Sequence, residues 1–384
     1  MHLFIFGLPQ VGKTTLIKKL IPFIKKDVDG FYTEEIKDKG KRVGFQIKTI
    51  KEKKEAIFSH CNFKTPYKVS SYYVDLKVFE KIAVETLKEA LINSEYVVID
   101  EIGKMEILSR EFKKTVEEAL KRKKVIATLP LRYEDRFISQ IKKTPFSYRL
   151  ILRKDNFEEV LRQAQLFLEA LPKEKIKELD RKAGKLGLEE RILIENASSN
   201  LFFHINQLNL GKRCLIVAGW GNNGADTLAC ARKLLSNGYE VDIALVKEKE
   251  PNQEVKFQLS ILEKFKKIYF IKEEKDLEEL KKIVQKKDFI LEGILGIGIK
   301  GELSSLLKEV IQFINESGKK IISCDIPSGL FPDEGVKYLP VVKADYTVTF
   351  LAPKLGFFLN QGDEFTGKII VTDIGLSLKI LEDG

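Results

Sequence analysis

A glycine loop followed by a lysine and a threonine lies near residue 10. Gly7, Gly12, Lys13 and Thr14 match the phosphate-binding pattern of two spaced glycines, a lysine and a hydroxyl residue. In this pattern backbone N–H groups surround the β-phosphate, the lysine reaches the β- and γ-phosphates, and the hydroxyl ligates Mg²⁺. The residues predicted to contact nucleotide here are Gly7, Leu8, Pro9, Gln10, Val11, Gly12, Lys13 and Thr14.

Two carboxylates complete this chemistry. Asp100 and Glu101 follow an apolar run at 96–99, so Asp100 is expected to hold Mg²⁺ together with Thr14, and Glu101 to polarise a water facing the γ-phosphate. Glu101 and Lys13 are therefore the candidate catalytic residues for hydrolysis. A nucleotide or nucleoside kinase is the alternative, because the same loop also serves phosphate transfer to an acceptor. Three cations are candidates for stabilising the transition state: Lys104, Arg42 and Arg132.

These groups require a strand, a loop and a helix in that order. The apolar residues 2–6 predict a buried strand, and the periodic run 15–21, which ends before Pro22, predicts a helix. The run 96–99 predicts a second strand that ends at the carboxylates. The first half is therefore predicted to be an α/β P-loop NTPase sheet.

The second half alternates apolar strand and helix patterns from residue 213 onwards, which predicts a Rossmann-like, three-layer αβα sandwich. A helical pattern ending at 193–197 precedes it. In such a fold ligands bind beyond the carboxyl ends of the strands. Polar and glycine-rich segments fall there four times, at 219–226, 292–298, 325–329 and 352–354.

Length and composition indicate two globular domains, because 384 residues exceed one ordinary core. Pro172 and the charged run after it place the join between 1–172 and 173–384. The net charge of +10 lies entirely in the first part. Lysines mixed with glutamates favour a solvated surface over nucleic-acid binding.

The chain is expected to be cytoplasmic. Residues 2–6 are too few to span a bilayer and lack the layout of a signal peptide. Cys61, Cys214, Cys230 and Cys324 have no metal-binding spacing, so free thiols, mostly buried, are expected.

The first half resembles the small nucleoside-triphosphatases of thermophiles. The resemblance covers roughly 1–170 and rests on the segments at 30–35, 42–45 and 72–75, and above all on the run 99–106. It implies Mg²⁺-dependent hydrolysis of several nucleoside triphosphates. It adds a second group of nucleotide contacts: Ile99, Asp100, Glu101, Ile102, Gly103, Lys104, Met105 and Glu106.

The second half resembles the NAD(P)H-hydrate epimerases over 175–380, through the segments at 193–197, 221–226, 325–330 and 347–354. The resemblance implies interconversion of the R and S forms of hydrated NADH and NADPH, and dimerisation through this domain. The chain shows no pattern of the dehydratase that completes this repair, so a separate dehydratase is expected. A nucleotide-gated, non-catalytic binding module remains the alternative.

Site residues carried over from this resemblance fall in three groups. Asp325 is the candidate for proton transfer at the hydrated ring carbon, and Asn223, Glu292 and Ser328 match the K⁺ ligands. The hydrate-binding residues are Asn222, Asn223, Gly224, Ala225, Asp226, Gly296, Ile297, Gly298, Ile299, Lys300, Gly301, Glu302 and Asp325.

The chain departs from the family pattern at four positions. Ala225 and Thr227 stand where glycines are usual, Ser198 also replaces a glycine, and Glu292 replaces an aspartate. The longer Glu292 side chain displaces the expected ion position by about one methylene, so K⁺ binding and activity stay open at this point.

Overall fold

The computed structural model describes residues 1–24 and 26–383. The chain forms two compact units, unit 1 (Met1–Leu168) and unit 2 (Glu169–Gly384). The division falls a few residues before the join expected from Pro172. Among the described residues, no helix has the length and apolar content needed to cross a membrane.

Unit 1 is built on a nine-stranded sheet, in the order β5-β6-β4-β3-β2-β7-β8-β1-β9. The elements in chain order are β1 (His2–Gly7), α1 (Lys13–Leu20), β2 (Val28–Asp38), β3 (Lys41–Thr49), β4 (Glu55–His60), β5 (Lys68–Val69), β6 (Tyr72–Val74), α2 (Leu76–Phe79), α3 (Glu85–Asn93), β7 (Tyr96–Ile99), α4 (Arg110–Arg122), β8 (Lys124–Pro130), α5 (Arg136–Ile141), β9 (Ser147–Leu152) and α6 (Phe157–Glu169).

The parallel part of this sheet brings the two phosphate-related segments to one edge. β1 pairs in parallel with β8 and β9, and β7 pairs in parallel with β8 and β2. The loop after β1 and the carboxylates after β7 therefore emerge on the same side, one strand apart. Both predicted strands and the predicted helix after the loop are confirmed. The antiparallel strands β3 to β6 extend the sheet beyond β2.

Unit 2 contains a seven-stranded, fully parallel sheet in the order β12-β11-β10-β13-β14-β15-β16. Its elements are α7 (Lys173–Lys185), α8 (Glu190–Leu208), β10 (Arg213–Ala218), α9 (Asn222–Ser236), β11 (Glu240–Val246), α10 (Gln253–Leu262), β12 (Ile268–Ile271), α11 (Leu277–Val284), β13 (Phe289–Gly293), α12 (Ser305–Glu316), β14 (Lys320–Cys324), β15 (Tyr346–Phe350), α13 (Asp363–Thr366), β16 (Lys368–Thr372) and α14 (Leu378–Asp383).

The strand order of unit 2 reverses between β10 and β13. A parallel sheet leaves a crevice outside the carboxyl ends of its strands at such a point. Separate apolar clusters cover the two faces of the sheet, as expected for an αβα sandwich. The predicted end of α8 at 193–197 is too early, because this helix continues to Leu208.

The cysteines are free thiols, as predicted. Cys214, Cys230 and Cys324 are buried in strands or helices of unit 2, and Cys61 is half-buried. Burial raises the pKa of the Cys214 thiol to about 12. These three thiols are therefore unreactive core residues.

Candidate functional sites

The glycine loop of unit 1 has the geometry of a phosphate site. Gly12 has a φ of 103°, which favours glycine, and α1 begins directly after it at Lys13. The Lys13 side chain is only 7% exposed, and its Nζ donates to the carbonyls of Gly7 at 3.3 Å and Leu8 at 3.4 Å. The ammonium is thus held inside the loop, where phosphate oxygens would replace the carbonyl contacts.

Asp100 and Glu101 lie beside this lysine. Lys13 Nζ is 3.7 Å from Glu101 Oε1. Asp100 is buried, its Oδ1 accepts a hydrogen bond from Thr128 Oγ1 at 2.5 Å, and its Oδ2 has no partner among the described residues. Burial raises the pKa of Asp100, and the neighbouring side chains of Thr128 and Thr14 oppose that rise. Thr14 and Asp100, the predicted metal pair, therefore lie together.

A third carboxylate, Glu106, lies behind Glu101. Its Oε2 accepts a hydrogen bond from Gly103 N at 3.0 Å, and the side chain is 6% exposed. A Cβ at Gly103 would lie 2.9 Å from Glu106 Oε2 and 3.3 Å from Glu101 Oε1, so both carboxylates flank this glycine. Burial, and then the charge of Glu101, raise the pKa of Glu106 to about 8. Glu106 thus keeps its proton at neutral pH.

A cavity of about 940 Å³ is bordered by Lys13, Thr14, Glu101 and Glu106. All three candidate cations line it. Arg42 is engaged by Glu35 Oε1 at 2.8 Å and by Tyr72 Oη at 2.9 Å, and Lys104 Nζ lies 4.6 Å from the centroid of the Tyr133 ring. Arg132 is exposed and has no partner in residues 1–24 and 26–383.

Unit 2 has a cavity of about 930 Å³ at the carboxyl ends of its central strands. Glycines allow the segment after β10 to pack closely. A Cβ at Gly219 would lie 1.9 Å from the Ile294 carbonyl oxygen, and a Cβ at Gly224 would lie 2.1 Å from the Gly219 carbonyl oxygen. Gly221 meets nothing within 4 Å and lines the cavity. Gly219 and Gly224 therefore serve packing, and Gly221 leaves room for a ligand at the start of α9.

A buried ion pair forms one wall of this cavity. Lys354 is fully buried, and its Nζ donates to Asp325 Oδ1, to Thr349 Oγ1 at 2.7 Å and to Phe350 O at 3.3 Å. Asp325 Oδ1 also accepts from Phe350 N at 3.1 Å. Asp325 and Leu351, both in the wall, have φ values of 61° and 64°. Left-handed non-glycine residues of this kind cluster at functional sites.

Behind the cavity, Glu292 links the ends of two strands. Its Oε1 accepts from Ser323 Oγ at 2.5 Å and Ser328 N at 3.1 Å, and its Oε2 accepts from Ser328 Oγ at 2.5 Å. Burial raises the pKa of Glu292. Asn223 Nδ2 donates to Leu295 O at 2.8 Å, while its buried Oδ1 has no partner in the described chain. Leu295 N in turn donates to Ser328 Oγ at 2.9 Å, so the three predicted K⁺ ligands belong to one hydrogen-bonded cluster.

The first part of the chain is similar to known nucleoside-triphosphatases. Residues 2–164 match the family model described as NTPase. The chain is 42% identical over 164 residues to nucleoside-triphosphatase THEP1 of Thermotoga petrophila, a match that covers 42% of this chain and 90% of that relative. The chain belongs to the THEP1 nucleoside-triphosphatase family. The crystal structure of THEP1 from Aquifex aeolicus, 35% identical, covers 42% of this chain and 96% of its own, with a TM-score of 0.40.

Beyond the THEP1 unit, residues 190–356 match the family model described as YjeF-related protein N-terminus. Here the chain is 36% identical over 197 residues to the bifunctional NAD(P)H-hydrate repair enzyme Nnr of Dictyoglomus turgidum. This match covers 50% of the chain and 37% of that relative. Unit 2 is thus similar to YjeF-related proteins, and the matched part spans well under half of that repair enzyme.

The structure gathers most of the predicted nucleotide contacts in the THEP1 unit. Eleven of the sixteen distinct residues line the cavity, namely Leu8, Pro9, Gln10, Gly12, Lys13, Thr14, Glu101, Gly103, Lys104, Met105 and Glu106. The other five form the strand ends and loop supports and do not line it: Gly7, Val11, Ile99, Asp100 and Ile102.

In unit 2 the residues predicted to contact the hydrate also converge. Those lining the cavity are Asn222, Asn223, Asp226, Gly296, Ile297, Gly298, Ile299, Lys300, Glu302 and Asp325. Gly224 and Ala225 are buried in α9, and Gly301 is exposed; none of the three is part of the lining.

Some of the carboxylates in the cavity wall have no role in the sequence-based prediction. Asp180 of α7 and Glu190 of α8 both line the cavity. Glu190 Oε1 accepts from Asn222 Nδ2 at 2.5 Å. The sequence contains one signal that could have pointed to Asp180. This carboxylate follows Leu179, which belongs to the buried apolar stripe of α7.

Proposed function

We propose that unit 1 hydrolyses nucleoside triphosphates with Mg²⁺. The observation that carries this is that Lys13, Thr14 and Glu101 line one cavity, with the buried Asp100 beside Thr14. The residues suit the ion, because a buried carboxylate oxygen of Asp100 is unpaired among the described residues and a hydroxyl stands next to it. Oxygen ligands of this kind are those that Mg²⁺ prefers. Thr14 and Asp100 would hold it, where it neutralises phosphate charge.

The side chains divide the remaining work. Lys13 neutralises phosphate oxygens from inside the loop, and Glu101 accepts a hydrogen bond from the attacking water and orients it. Arg132 is our candidate for transition-state charge, because it has no partner among the described residues, while Arg42 is paired with Glu35 and Lys104 lies over the Tyr133 ring. Phosphate is released to water without an acceptor.

The test compares Glu101→Gln with Glu117→Gln, an exposed glutamate of α4. Loss of the base is expected to lower phosphate release from ATP by roughly 10²- to 10⁴-fold, while the control keeps the wild-type rate. Unchanged release by Glu101→Gln would refute hydrolysis through this residue. Release that needs an added nucleoside or nucleotide would identify a kinase instead.

We also propose that unit 2 interconverts the R and S forms of NAD(P)H hydrate. The observation that supports it most is the Asp325–Lys354 pair in a cavity at the reversal of strand order. The N-terminus of α9 beside Gly221 suits the nucleotide phosphates. Asp325 accepts or returns a proton at the hydrated ring carbon, and Lys354 holds its carboxylate in place.

The cluster behind the cavity suits K⁺. Asn223 has a buried amide oxygen without a partner in the described chain, and an amide, a carboxylate and a hydroxyl form a hard oxygen donor set. Asn223, Glu292 and Ser328 would hold the ion, which supplies a fixed positive charge. The longer Glu292 is accommodated by Ser323, which donates to its Oε1.

An assay of R-to-S conversion tests this activity, with a separate dehydratase in excess to consume the S form. Acceleration over the spontaneous rate by the wild-type chain, lost in Asp325→Asn, is the expected result. No acceleration would refute the epimerase. Calorimetry distinguishes a non-catalytic binding module, which would bind hydrate tightly without turnover. Replacing K⁺ with Na⁺ is expected to lower the rate or the affinity for hydrate.

A further inference from the structure

Asp180 is a carboxylate without a partner in the wall of the unit 2 cavity. It lies on α7, which buries Ile176, Leu179 and Ala183 against the rest of the unit. Asp180 is half-buried beside this stripe and lines the cavity. Within 1–24 and 26–383 it makes no hydrogen bond or ion pair. It also precedes the region 190–356 that matches the family model, so the match assigns it no role.

The surroundings of Asp180 favour its protonated form. The charged groups that line the same cavity are Lys177, Arg181, Glu189, Glu190, Asp226, Glu248, Lys249, Lys300, Glu302, Asp325 and Lys354. Lys354 is already paired with Asp325. Burial, followed by the charge of Asp325, raises the pKa of Asp180 to about 6. Asp180 has no partner while Asp325 is bound to Lys354, and two carboxyl groups held in such different environments within one site are the usual arrangement of an acid and a base.

The cavity also shows that it is built for a polar ligand. The Asn223 side chain lies in its wall, the residue is 8% exposed, and its Oδ1 has no partner in the described residues. A buried acceptor in this state calls for a ligand or an ion. Asp180 and Asp325 therefore line the same cavity as Asn223, whose unmet acceptor belongs to the cluster behind the wall.

We propose that Asp180 is the catalytic acid of the epimerase site, with Asp325 as its base. This inference rests on the proposed epimerase function. It assigns a second carboxyl group to the reaction and places it on a helix outside the matched family region.

In the hydrate the hydroxyl-bearing carbon is bonded to the ring nitrogen, whose lone pair can form a C=N⁺ bond. Protonated Asp180 gives its proton to the hydroxyl oxygen while the C–O bond breaks. The electron pair of that bond leaves with the oxygen as water. A water then adds to the opposite face of that carbon, and the C=N⁺ π electrons return to nitrogen. The excess proton passes to Asp325 and, through solvent, back to Asp180, so nothing is consumed.

The experiment uses the full chain, purified R hydrate and excess dehydratase. Asp180→Asn keeps the size of the side chain and removes the acid, and Glu178→Gln, half-exposed on the same helix and paired with Lys175, is the matched control. We expect Asp180→Asn to lower kcat by roughly 10²- to 10⁴-fold with little change in KM, and the control to match the wild type. Product formed in H₂¹⁸O by the wild type should carry the heavy oxygen.

Each outcome decides between the two claims. An inactive wild type refutes the epimerase, and this inference with it. An active wild type with an equally active Asp180→Asn overturns the inference alone, as does a variant that raises only KM. Fluorescence of Trp220, in the cavity wall, shows whether the variant folds. If Asp180→Asn does not fold, Asp180→Glu provides the test, because it retains the acid. This variant is expected to keep measurable activity that falls as pH rises. A pH-independent kcat in the wild type and in Asp180→Glu would overturn the role of Asp180 as the acid.

Discussion

Replacing Glu106 with glutamine is expected to stabilise unit 1 at neutral pH. The carboxyl group is buried, and its pKa is raised from 4.5 to about 8, first by burial and then by Glu101. Between these two values the unfolded chain has lost the proton and the folded chain has kept it. The unfolded state therefore binds fewer protons, and the free energy of unfolding falls as pH rises from about 4.5 to about 8.

The size of the effect follows from the same two values. Each pH unit in this window is worth about 1.4 kcal/mol, so Glu106 lowers the free energy of unfolding by about 3 kcal/mol at pH 7. Above pH 8 the loss levels off near 5 kcal/mol. Glutamine is neutral throughout and keeps an oxygen for the hydrogen bond from Gly103 N. The variant should thus gain about 3 kcal/mol over the wild type at pH 7.

Urea unfolding at about pH 5, 7 and 8.5 measures this. Trp220 is the only tryptophan of the chain and lies in unit 2, so its fluorescence follows unit 2 while circular dichroism follows both units. Subtraction isolates the transition of unit 1. Glu117→Gln, exposed in the same unit, is the control. If wild type and Glu106→Gln lose stability in parallel over this pH range, the reasoning about the buried proton is wrong.

Two further predictions concern unit 2, and both are followed by urea unfolding with Trp220 fluorescence. Gly219→Ala places a Cβ 1.9 Å from the Ile294 carbonyl oxygen, so a loss above about 2 kcal/mol is expected; an unchanged midpoint would show that the backbone yields at little cost. Lys354→Met removes the buried partner of Asp325, and the expected loss is about 3–5 kcal/mol. Adding Asp325→Leu to Lys354→Met should restore much of that stability, and a further loss would contradict the ion-pair argument.

Local patterns were sufficient to predict the parts of the fold that position the sites. β1, α1 and β7 follow from apolar runs ended by glycine or carboxylate, and the βα alternation of unit 2 follows from its spacing. Three elements are less visible. α11 is highly charged, β16 is a short strand at the sheet edge, and α8 continues to Leu208 through a polar segment. Their structure depends on tertiary packing more than on local pattern.

Residue types predicted which groups do chemistry, and the fold was needed to show how they are connected. The phosphate loop could be assigned from order and spacing, because its ligand contacts are consecutive. Asp180 and Lys354 could not be paired with Asp325 in this way, since they come from elements far apart in sequence. The sequence also could not show which of the candidate cations is already paired, and only the structure shows that Arg42 donates a hydrogen bond to Glu35.

The left-handed backbone at Asp325 and Leu351 is retained through the side chains at these two positions. Glycine adopts such φ values without the roughly 1–2 kcal/mol that other residues incur. Asp325→Gly would nevertheless leave Lys354 buried without its partner, at a cost of about 3–5 kcal/mol, and Leu351→Gly would remove a buried apolar side chain, at a cost of about 2–5 kcal/mol. Relief of the backbone is smaller than either loss, so a selection for heat resistance alone is expected to retain both residues, and the shape of this wall is kept by the stability of the domain as well as by its turnover.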